Sequence, residues 1–495
     1  MSYLRKLSGQ TAIYGLSSVV PRLLNYILVP LHTRVFLQEE YGIITEMYAY
    51  LAFLLVILTY GMETGFFRFA AKEENTNTTY STAFYSLLTT SLLFFATVFL
   101  FSDSIVSVIG YPNNPEYVIY LGAIIAIDAF CTIPFARLRL ENKAKVFSSI
   151  KIISVVINVS LNFFFLALCP KYEFLQNLYI YNADIGIGYV FISNLVSSIF
   201  VVIILLVFNH NLLPSRFSVA KFKLLLLYSF PLLVSGLGGT ANEWLDRIFL
   251  KYLIPDEQNP LYQLGIYGAN LKLAVLMVLF IQMFRYAAEP FFFSNANTVE
   301  SKKIYADVLK YFLVFTILIF LGVSLFTDIF KFFVGERFRE GLSVVPILLL
   351  ANLFNGIYFN LSIWFKLSNR TWYGIYYTFA GAIITVTLYF LLIPKIGFYG
   401  AAIARLACYI FMTVLCYYGS KRYFNVPYQV GRMFLYLILG ILIFIIGYFI
   451  KINNEAISFL FRILLIAAFL YLFIVIEKIK VIPILNSLRN DSKRS

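Results

Sequence analysis

The chain contains about fourteen apolar stretches of roughly 20 residues, and each is long enough to cross a bilayer as a helix. Inside a membrane the backbone must satisfy its own hydrogen bonds, which a single apolar stretch achieves only as a helix. Short connections separate the stretches, so no extramembrane domain is expected. The sequence therefore predicts an all-α polytopic membrane protein, whose helices we number spans 1 to 14 in chain order.

The predicted spans cover residues 10–36, 41–69, 80–101, 117–138, 146–168, 184–208, 224–252, 262–291, 306–327, 342–365, 372–393, 398–419, 431–450 and 456–476. Charged residues make up 13% of the chain, about half the share that is typical of soluble proteins. The net charge of +14 does not indicate nucleic-acid binding, because Lys and Arg concentrate in alternate connections between spans. By the positive-inside rule, this alternation predicts that both termini are cytoplasmic.

Short motifs of the first half return in the same order in the second half. Tyr41-Gly-Ile43 at the start of span 2 matches Leu264-Gly-Ile266 at the start of span 8, at an offset of 223 residues. Two further matches pair residues 139–143 with 366–370 and residues 185–186 with 396–397. The repeat predicts two six-helix lobes in parallel orientation, which is a transporter architecture with the substrate path at the seam.

The predicted domain boundaries follow from this repeat. The first lobe covers residues 1–208, a cytoplasmic linker covers 209–223, the second lobe covers 224–420, and residues 421–495 hold spans 13 and 14 with a basic tail.

Several cationic side chains lie inside the predicted spans, where an unpaired charge costs several kcal/mol and is expected to face a cavity or a partner. Arg22 lies near mid-membrane between Pro21 and Pro30, which predicts a kinked, cavity-lining helix. A positively charged interior attracts an anion such as phosphate or diphosphate. The candidate substrate-binding residues are Arg22, Asn25, Arg34, Arg247, Lys272 and Arg405.

Acidic side chains inside the spans are candidates for ion coupling, namely Asp128, Glu46 and Glu63. Asp128 is the deepest, so an unpaired carboxylate there is suited to exchanging protons, whereas the alternative is a salt bridge to Arg22. Glu243 with Arg247, and Arg285 with Glu289, have the i, i+4 spacing of pairs within one helix. In span 7, Gly236 to Gly239 allow either a gate or plain close packing.

Enzyme motifs are missing from the sequence, which contains no P-loop, no GxSxG and no HExxH. The four cysteines form no CxxC pair and the chain has only two histidines, His32 and His210, so neither a metal site nor a cofactor is predicted. Without an ATP site, the energy source is expected to be an ion gradient, the membrane potential or the substrate gradient. The predicted protein is a transporter and not an enzyme.

Two segments resemble bacterial polysaccharide-export flippases. The first is Ser17-Ser-Val-Val-Pro-Arg22 through Pro30, running into Tyr41-Gly-Ile-Ile-Thr-Glu46, and the second is Asn242-Glu-Trp-Leu-Asp246-Arg247 followed by Leu264-Gly-Ile-Tyr-Gly-Ala-Asn-Leu-Lys272. The family belongs to the multidrug/oligosaccharidyl-lipid/polysaccharide exporter superfamily. The resemblance covers essentially the whole chain and includes spans 13 and 14.

This resemblance implies a flippase for undecaprenyl-diphosphate-linked oligosaccharides in the bacterial cytoplasmic (inner) membrane, working by alternating access through a cationic central cavity. Arg22, Lys272 and Arg247 would bind diphosphate or an acidic sugar. H+ or Na+ is the expected coupling ion, membrane lipids are the surroundings, and a polysaccharide polymerase and glycosyltransferases are candidate partners. A lipid II flippase and an ion-coupled multidrug exporter of the same superfamily are the alternatives, and the extra helix pair and basic interior argue against the exporter. A membrane enzyme such as an oligosaccharide polymerase is a further alternative, and the lack of a large outer loop in the sequence argues against it. The glycan, the coupling ion and the oligomeric state are left open.

Overall fold

The computed structural model describes residues 20–70, 73, 76–177, 180–208, 216–294, 300–368, 370–450 and 452–478. Within these ranges the chain forms helices and no strands, and 13 helices are long and apolar enough to cross a membrane. Span 1 would be the fourteenth, and its predicted residues 10–19 lie outside the described ranges. Residues 209–215 of the predicted linker and 479–495 of the tail also lie outside them. The predicted all-α polytopic fold of about fourteen helices is confirmed.

Most observed helices begin and end within a few residues of the predicted spans. Spans 2 to 7 are Gln38–Thr59 with Met62–Ala70, Asn77–Leu100, Pro115–Leu140, Ala144–Phe163 with the π-helical turn Phe164–Leu168, Gly188–Phe208 and Val219–Leu253. Spans 8 to 14 are Pro260–Ser294, Ser301–Leu325, Val345–Leu361 with Ile363–Leu367, Trp372–Ile396, Phe398–Tyr423, Val430–Phe449 and Glu455–Ile476. Shorter helices connect them, namely Ser102–Val108, Glu173–Gln176, Thr327–Phe330 and the 3-10 segments Ala183–Ile185, Asp256–Gln258, Lys331–Phe333 and Glu336–Val344.

Span 1 is broken at the place that its prolines predict. Residues 20–26 are helical, the helix is interrupted at Ile27, and it resumes over Leu28–Val35. Pro30 has no N–H to donate to the carbonyl oxygen four residues earlier, so the helix loses a hydrogen bond at this turn. The break allows the two parts of span 1 to differ in direction.

Span 2 is also broken, which corrects the prediction of one continuous helix over residues 41–69. Tyr60 and Gly61 have φ angles of 33° and 69°. Glycine adopts this left-handed region without a steric penalty, so the helix ends here and a second one begins at Met62. Span 7, in contrast, continues through Gly236 and Gly239 without interruption. A Cβ on Gly238 would lie 3.1 Å from Thr378 Cγ2, so this glycine serves close packing against span 11.

The glycines of the repeated motif bring spans 2 and 8 into backbone contact. A Cβ added to Gly42 would lie 2.2 Å from the carbonyl oxygen of Leu261, and one added to Gly265 would lie 1.9 Å from that of Gln38. Both distances are far below van der Waals contact, so neither position has room for a side chain. Spans 2 and 8 therefore meet near the residues at which they begin, Gln38 and Pro260. The opposite end of the bundle contains the loop at residues 141–143, and we call it the basic end.

The chain forms two compact units, Met1–Ala296 with Lys331–Phe424, and Asn297–Phe330 with Asn425–Ser495. The second unit therefore contains span 9 together with spans 13 and 14, a grouping that differs from the predicted boundaries. Its reason is local packing, because a Cβ on Gly440 of span 13 would lie only 2.6 Å from Ile317 Cγ2 of span 9. Lys310 Nζ of span 9 also donates to Glu477 Oε2 beyond span 14 at 2.7 Å.

Candidate functional site

A polar cavity of about 460 Å³ lies within the first unit among spans 1, 2, 4, 5 and 6, toward the basic end. We call it the neutral cavity, because two carboxylates and two cations line it. Its lining residues are Pro21, Asn25, Leu55, Glu63, Asp128, Cys131, Thr132, Phe135, Arg139, Phe147, Lys151, Ser154, Val155, Asn158, Asn194, Ser197, Ser198 and Val201.

The charges of the neutral cavity fall into one ion pair and two separate groups. Glu63 Oε1 and Arg139 Nη1 pair at 2.5 Å, and both side chains are partly exposed. Asp128 Oδ1 accepts a hydrogen bond from Ser198 Oγ at 3.0 Å. Lys151 Nζ lies 4.1 Å from the centroid of the Phe135 ring, a favourable cation–π distance. Among the described residues neither Asp128 nor Lys151 forms a salt bridge, although the two opposite charges interact across the cavity.

A hydrogen-bonded row of amides leads from the neutral cavity toward the other end of the bundle. Asn158 Nδ2 donates to Asn25 Oδ1 at 3.4 Å, and Asn162 Nδ2 donates to Asn158 Oδ1 at 3.0 Å. His32 Nε2 lies 2.8 Å from Asn162 Oδ1. Asn158 and Asn162 are four residues apart on span 5, which places both amides on the same helix face.

This row of amides enters a second cavity of about 270 Å³ among spans 1, 2, 5, 6, 7 and 8, within the first unit. We call it the cationic cavity, because Arg247 and Lys272 line it and no carboxylate does. Its lining residues are Asn25, Leu28, Val29, His32, Tyr41, Ile44, Thr45, Tyr48, Asn158, Asn162, Val190, Asn194, Trp244, Arg247, Gly268, Leu271 and Lys272. Asn25, Asn158 and Asn194 line both cavities, so the two spaces adjoin.

The two cations of this cavity differ in their surroundings. Arg247 is held in place, since its Nη1 lies 3.5 Å from Asp246 Oδ1 and its guanidinium lies 4.0 Å from the centroid of the Trp244 ring. The Lys272 ammonium has no hydrogen-bond or ion-pair partner among the described residues, although its backbone carbonyl accepts from Tyr26 Oη at 2.6 Å. A membrane-embedded lysine without a partner is expected to meet its counter-charge in a ligand.

Two predicted substrate-binding residues of span 1 lie outside both cavities. Arg22 is exposed and its Nη1 donates to Gln282 Oε1 of span 8 at 2.6 Å. The ion pairs of the described residues do not join Arg22 to Asp128, which was the structural alternative. Arg34 donates to the carbonyl oxygens of Pro30 and Phe332, both at 2.7 Å.

Arg405 also lies outside the two cavities, in a buried ion pair with Asp246. Its Nη1 lies 3.0 Å from Asp246 Oδ2, and the exposed fractions of the two side chains are 5% and 1%. Tyr267 Oη donates to the same carboxylate oxygen at 2.6 Å. Asp246 thus joins spans 7, 8 and 12.

Glu46 is buried in a comparable cluster near the contact of spans 2 and 8. Lys251 Nζ of span 7 lies 2.9 Å from Glu46 Oε2, and Tyr50 Oη donates to Oε1 at 2.7 Å. Tyr111 Oη also donates to Glu46 Oε2. Lys251 Nζ also donates to the carbonyl oxygen of Ile109. Of the three predicted coupling acids, Glu46 and Glu63 therefore form salt bridges, whereas Asp128 forms none among the described residues and feels the charge of Lys151 across the neutral cavity.

Two predicted pairs within single helices are found in altered form. Arg285 Nε lies 3.6 Å from Glu289 Oε1 as predicted, but Lys366 Nζ of span 10 approaches the same oxygen more closely, at 2.5 Å. The Glu243–Arg247 prediction is corrected, because Arg247 Nη1 donates to the backbone carbonyl of Glu243 at 2.9 Å and pairs with the carboxylate of Asp246. Glu243 is exposed whereas Asp246 and Arg247 are buried, so the buried guanidinium pairs with the buried carboxylate.

Sequence reasoning missed the amide row and Lys151. The only available signal was the pair of asparagines at i, i+4 in an apolar span, and Lys151 was close enough to the predicted start of span 5 to pass as an interfacial charge. The four cysteines are free and buried. In the part of the chain that the structure describes, no three His, Cys, Asp or Glu side chains are grouped to hold a metal ion.

The sequence profile of one protein family, described as "Polysaccharide biosynthesis protein", matches residues 8–296, more than half of the chain. No curated protein sequence matches the chain.

Solved structures share the fold over most of the chain. The lipid II flippase MurJ in an inward closed conformation is 16% identical, with a TM-score of 0.72 over 94% of this chain and 99% of that one. An inward-facing multidrug resistance MATE family transporter of the MOP superfamily is 13% identical, with a TM-score of 0.66 over 84% and 99%. The MATE multidrug transporter DinF-BH is 15% identical, with a TM-score of 0.60 over 85% and 96%. At these identities the likeness establishes the fold alone, which the chain shares with the MurJ and MATE structures.

Proposed function

Because the chain belongs to the polysaccharide biosynthesis protein family, we propose that it flips undecaprenyl-diphosphate-linked oligosaccharides across the cytoplasmic membrane of a bacterium. The observation that carries this proposal is the Lys272 ammonium, which lines the cationic cavity beside Arg247 without a partner among the described residues. A diphosphate supplies the missing counter-charges, and lysine and arginine are its usual protein partners.

The electrostatics of the cavity favour an anion over a cationic drug. Its lining has two positive side chains and no carboxylate. Asp246, the acid nearest to Arg247 in sequence, is already engaged by Arg405 at 3.0 Å and does not line the cavity. A cationic drug would meet two positive charges and no carboxylate here, which supports the flippase over the multidrug exporter.

The lipid tail of such a substrate would remain in the bilayer while the head group passes through the two adjoining cavities. Arg22 bridges spans 1 and 8 through Gln282. It follows Pro21 directly and precedes Asn25 by three residues, and both of those residues line the neutral cavity. In this proposal the diphosphate binds Lys272 and Arg247, and Arg22 holds spans 1 and 8 together through its hydrogen bond to Gln282.

Ion coupling is proposed for Asp128, since Glu46 and Glu63 are neutralised by Lys251 and Arg139. A carboxylate that faces a polar cavity and forms no salt bridge can take up and release H+ or bind Na+. The positive-inside rule supports cytoplasmic termini, and therefore a basic end that faces the cytoplasm. A polysaccharide polymerase and glycosyltransferases on the same glycan are the proposed partners.

The test is translocation of fluorescently labelled undecaprenyl-diphosphate oligosaccharide in proteoliposomes. Lys272→Met is expected to lower the rate at least about tenfold, the equivalent of losing one charge-assisted contact of ~1.4 kcal/mol, and Lys272→Arg to keep part of the rate. Lys395→Met is the matched control, because Lys395 is exposed at the end of span 11 and lines neither cavity.

Two further substrates separate the alternatives in the same vesicles. Faster movement of lipid II than of the oligosaccharide lipid would favour a peptidoglycan-precursor flippase. Transport of a cationic dye with no movement of either lipid would contradict the proposal and favour the multidrug exporter.

A further inference from the structure

The charges of the two adjoining cavities differ, although three asparagines line both of them. The cationic cavity carries Arg247 and Lys272 without a carboxylate. In the neutral cavity, Arg139 and Lys151 are balanced by Glu63 and Asp128. A ligand that fills both spaces is thus expected to have an anionic part joined to a part without net charge.

The neutral cavity is rich in groups that both donate and accept hydrogen bonds. Ser154 Oγ and Ser197 Oγ lie 2.8 Å apart, and Ser198 Oγ donates to Asp128 at 3.0 Å. Sugar hydroxyls are likewise donors and acceptors at once, so amide and hydroxyl side chains match them in both roles.

Several of these groups have unused capacity. Asn25 accepts from Asn158 at 3.4 Å through Oδ1, while its Nδ2 has no partner among the described residues. Asn194 Nδ2 donates to Tyr48 Oη at 3.1 Å, and its Oδ1 is likewise without a partner there. A polar wall that is only partly self-satisfied and faces an open space can offer its remaining bonds to a ligand.

The dimensions also fit. The neutral cavity, at about 460 Å³, lies within the ~300–1,000 Å³ range of small-molecule sites. The aromatic ring of Phe135 lies on its wall and is covered on one side by Lys151. Because Asn25, Asn158 and Asn194 line both cavities, a group in the neutral cavity can be covalently continuous with one at Lys272.

We propose that the neutral cavity is a sugar subsite, which binds an uncharged sugar attached to the diphosphate through its hydroxyl groups, with Ser154, Ser197, Ser198 and the shared asparagines as its polar wall. This inference rests on the proposed function, since the diphosphate at Lys272 is what directs the sugar into the neighbouring space. It adds a position for the first sugar and a preference for its charge.

The experiment compares two lipids that differ only in the sugar. Binding of undecaprenyl diphosphate and of undecaprenyl diphosphate carrying one neutral hexose is measured on the full chain in lipid nanodiscs. Sugar-headed detergents such as dodecyl maltoside are removed before the measurement, because their head groups would compete for the same subsite.

Ser154→Leu and Ser198→Val change residues that line the neutral cavity and not the cationic one. Both are expected to weaken binding of the hexose lipid about tenfold, the equivalent of one or two lost hydrogen bonds, and to leave binding of the sugar-free lipid unchanged. Ser160→Leu is the matched control for Ser154→Leu, since Ser160 is exposed on span 5, the helix of Ser154, and lines neither cavity. Wild type is expected to bind undecaprenyl diphosphate carrying one uronic acid more weakly than it binds the hexose lipid.

The outcomes distinguish the subsite from the proposed function. The sugar subsite and the proposed function are both supported if Lys272→Met loses binding of both lipids while Ser154→Leu and Ser198→Val lose binding of the hexose lipid alone. Equal affinity for the two lipids in wild type, or equal effects of the serine variants on both lipids, overturns the sugar subsite and leaves the flippase standing. Failure of wild type to bind either lipid overturns the proposed function itself. Retained binding of the sugar-free lipid shows that each serine variant is folded.

Discussion

Gly42 and Gly265 make a reciprocal contact, in which each glycine faces the carbonyl oxygen four residues before the other. A Cβ on Gly42 would lie 2.2 Å from Leu261 O, and one on Gly265 would lie 1.9 Å from Gln38 O. The offset of 223 residues that relates Gly42 to Gly265 also relates Gln38 to Leu261. The contact is thus built by the same position of the two repeats.

Gly265→Ala is expected to push spans 2 and 8 apart, because the new methyl group would meet backbone that cannot rotate away. The expected loss of stability is at least about 1–3 kcal/mol, as in other overpacked sites. Thermal unfolding in nanodiscs measures it. Gly239→Ala is the control, since nothing lies within 4 Å of a Cβ at that position. An unchanged melting temperature for Gly265→Ala would contradict the tight backbone contact.

Glu46→Gln is expected to be more damaging than the double variant Glu46→Gln with Lys251→Met. The single change leaves the ammonium of Lys251 without its buried carboxylate, which typically costs roughly 3–5 kcal/mol. The double change removes both charges and should restore part of the loss. Melting temperatures of the two single variants and the double variant form the cycle, and additive losses would argue against a coupled pair.

Arg405→Met is expected to reduce stability and not the affinity of the folded protein for a lipid diphosphate. Arg405 pairs with buried Asp246 at 3.0 Å and lines neither cavity. Lys272→Met should show the opposite split, with near-normal stability and weak binding. The measurement is a melting curve together with a binding titration for each variant. Weak lipid binding by a stable Arg405→Met protein would return Arg405 to the substrate path.

Asp128→Asn is expected to abolish stimulation of transport by an ion gradient while lipid binding persists. The amide retains the hydrogen bond with Ser198 but can neither exchange a proton nor offer a charge. Proteoliposome transport with imposed proton or sodium gradients, each applied separately, measures the effect and names the ion. Full gradient stimulation in the variant would shift the coupling role away from Asp128.

The second unit is expected to lose stability in acid through Glu477. Burial raises the pKa of this carboxyl, but hydrogen bonds from Lys310 and Tyr436 outweigh burial and hold the pKa below its ordinary value of 4.5. A carboxyl with a lowered pKa in the folded state stabilises the protein above its ordinary pKa, and the contribution disappears as the pH falls through the folded value. Melting temperatures between pH 7 and pH 3 should therefore depend less on pH in Glu477→Gln than in wild type. Identical pH profiles would contradict this.

Much of the fold follows from the sequence because the bilayer admits few solutions. Apolar length alone predicts the spans, and the prolines of span 1 predict its break near Ile27. The break at Tyr60 was not predicted, because a single Gly61 in an apolar run indicates packing as readily as a bend.

The site was less predictable, since depth in the membrane does not reveal which neighbour a charge meets. Of the predicted substrate-binding residues, the structure brings Asn25, Arg247 and Lys272 to one cavity. Arg405 is predicted at a depth in the membrane similar to that of Lys272, yet it pairs with Asp246. Which neighbour it meets depends on the rotation of span 12 about its axis relative to span 7. The neutral cavity was missed because serines and asparagines in an apolar helix carry no periodic signal by themselves.

The reciprocal glycine contact has the form of an isologous interface, in which the same surface patch serves both partners, as in a two-fold symmetric homodimer. Here the two partners are joined in one chain, so a substitution in either half changes only one side of the contact. The chain can therefore keep the symmetric contact at Gly42 and Gly265 while residues elsewhere in the two halves diverge. Divergence of this kind allows charge to be confined to one cavity, which the proposed flippase would need in order to hold the diphosphate apart from the sugar of its substrate.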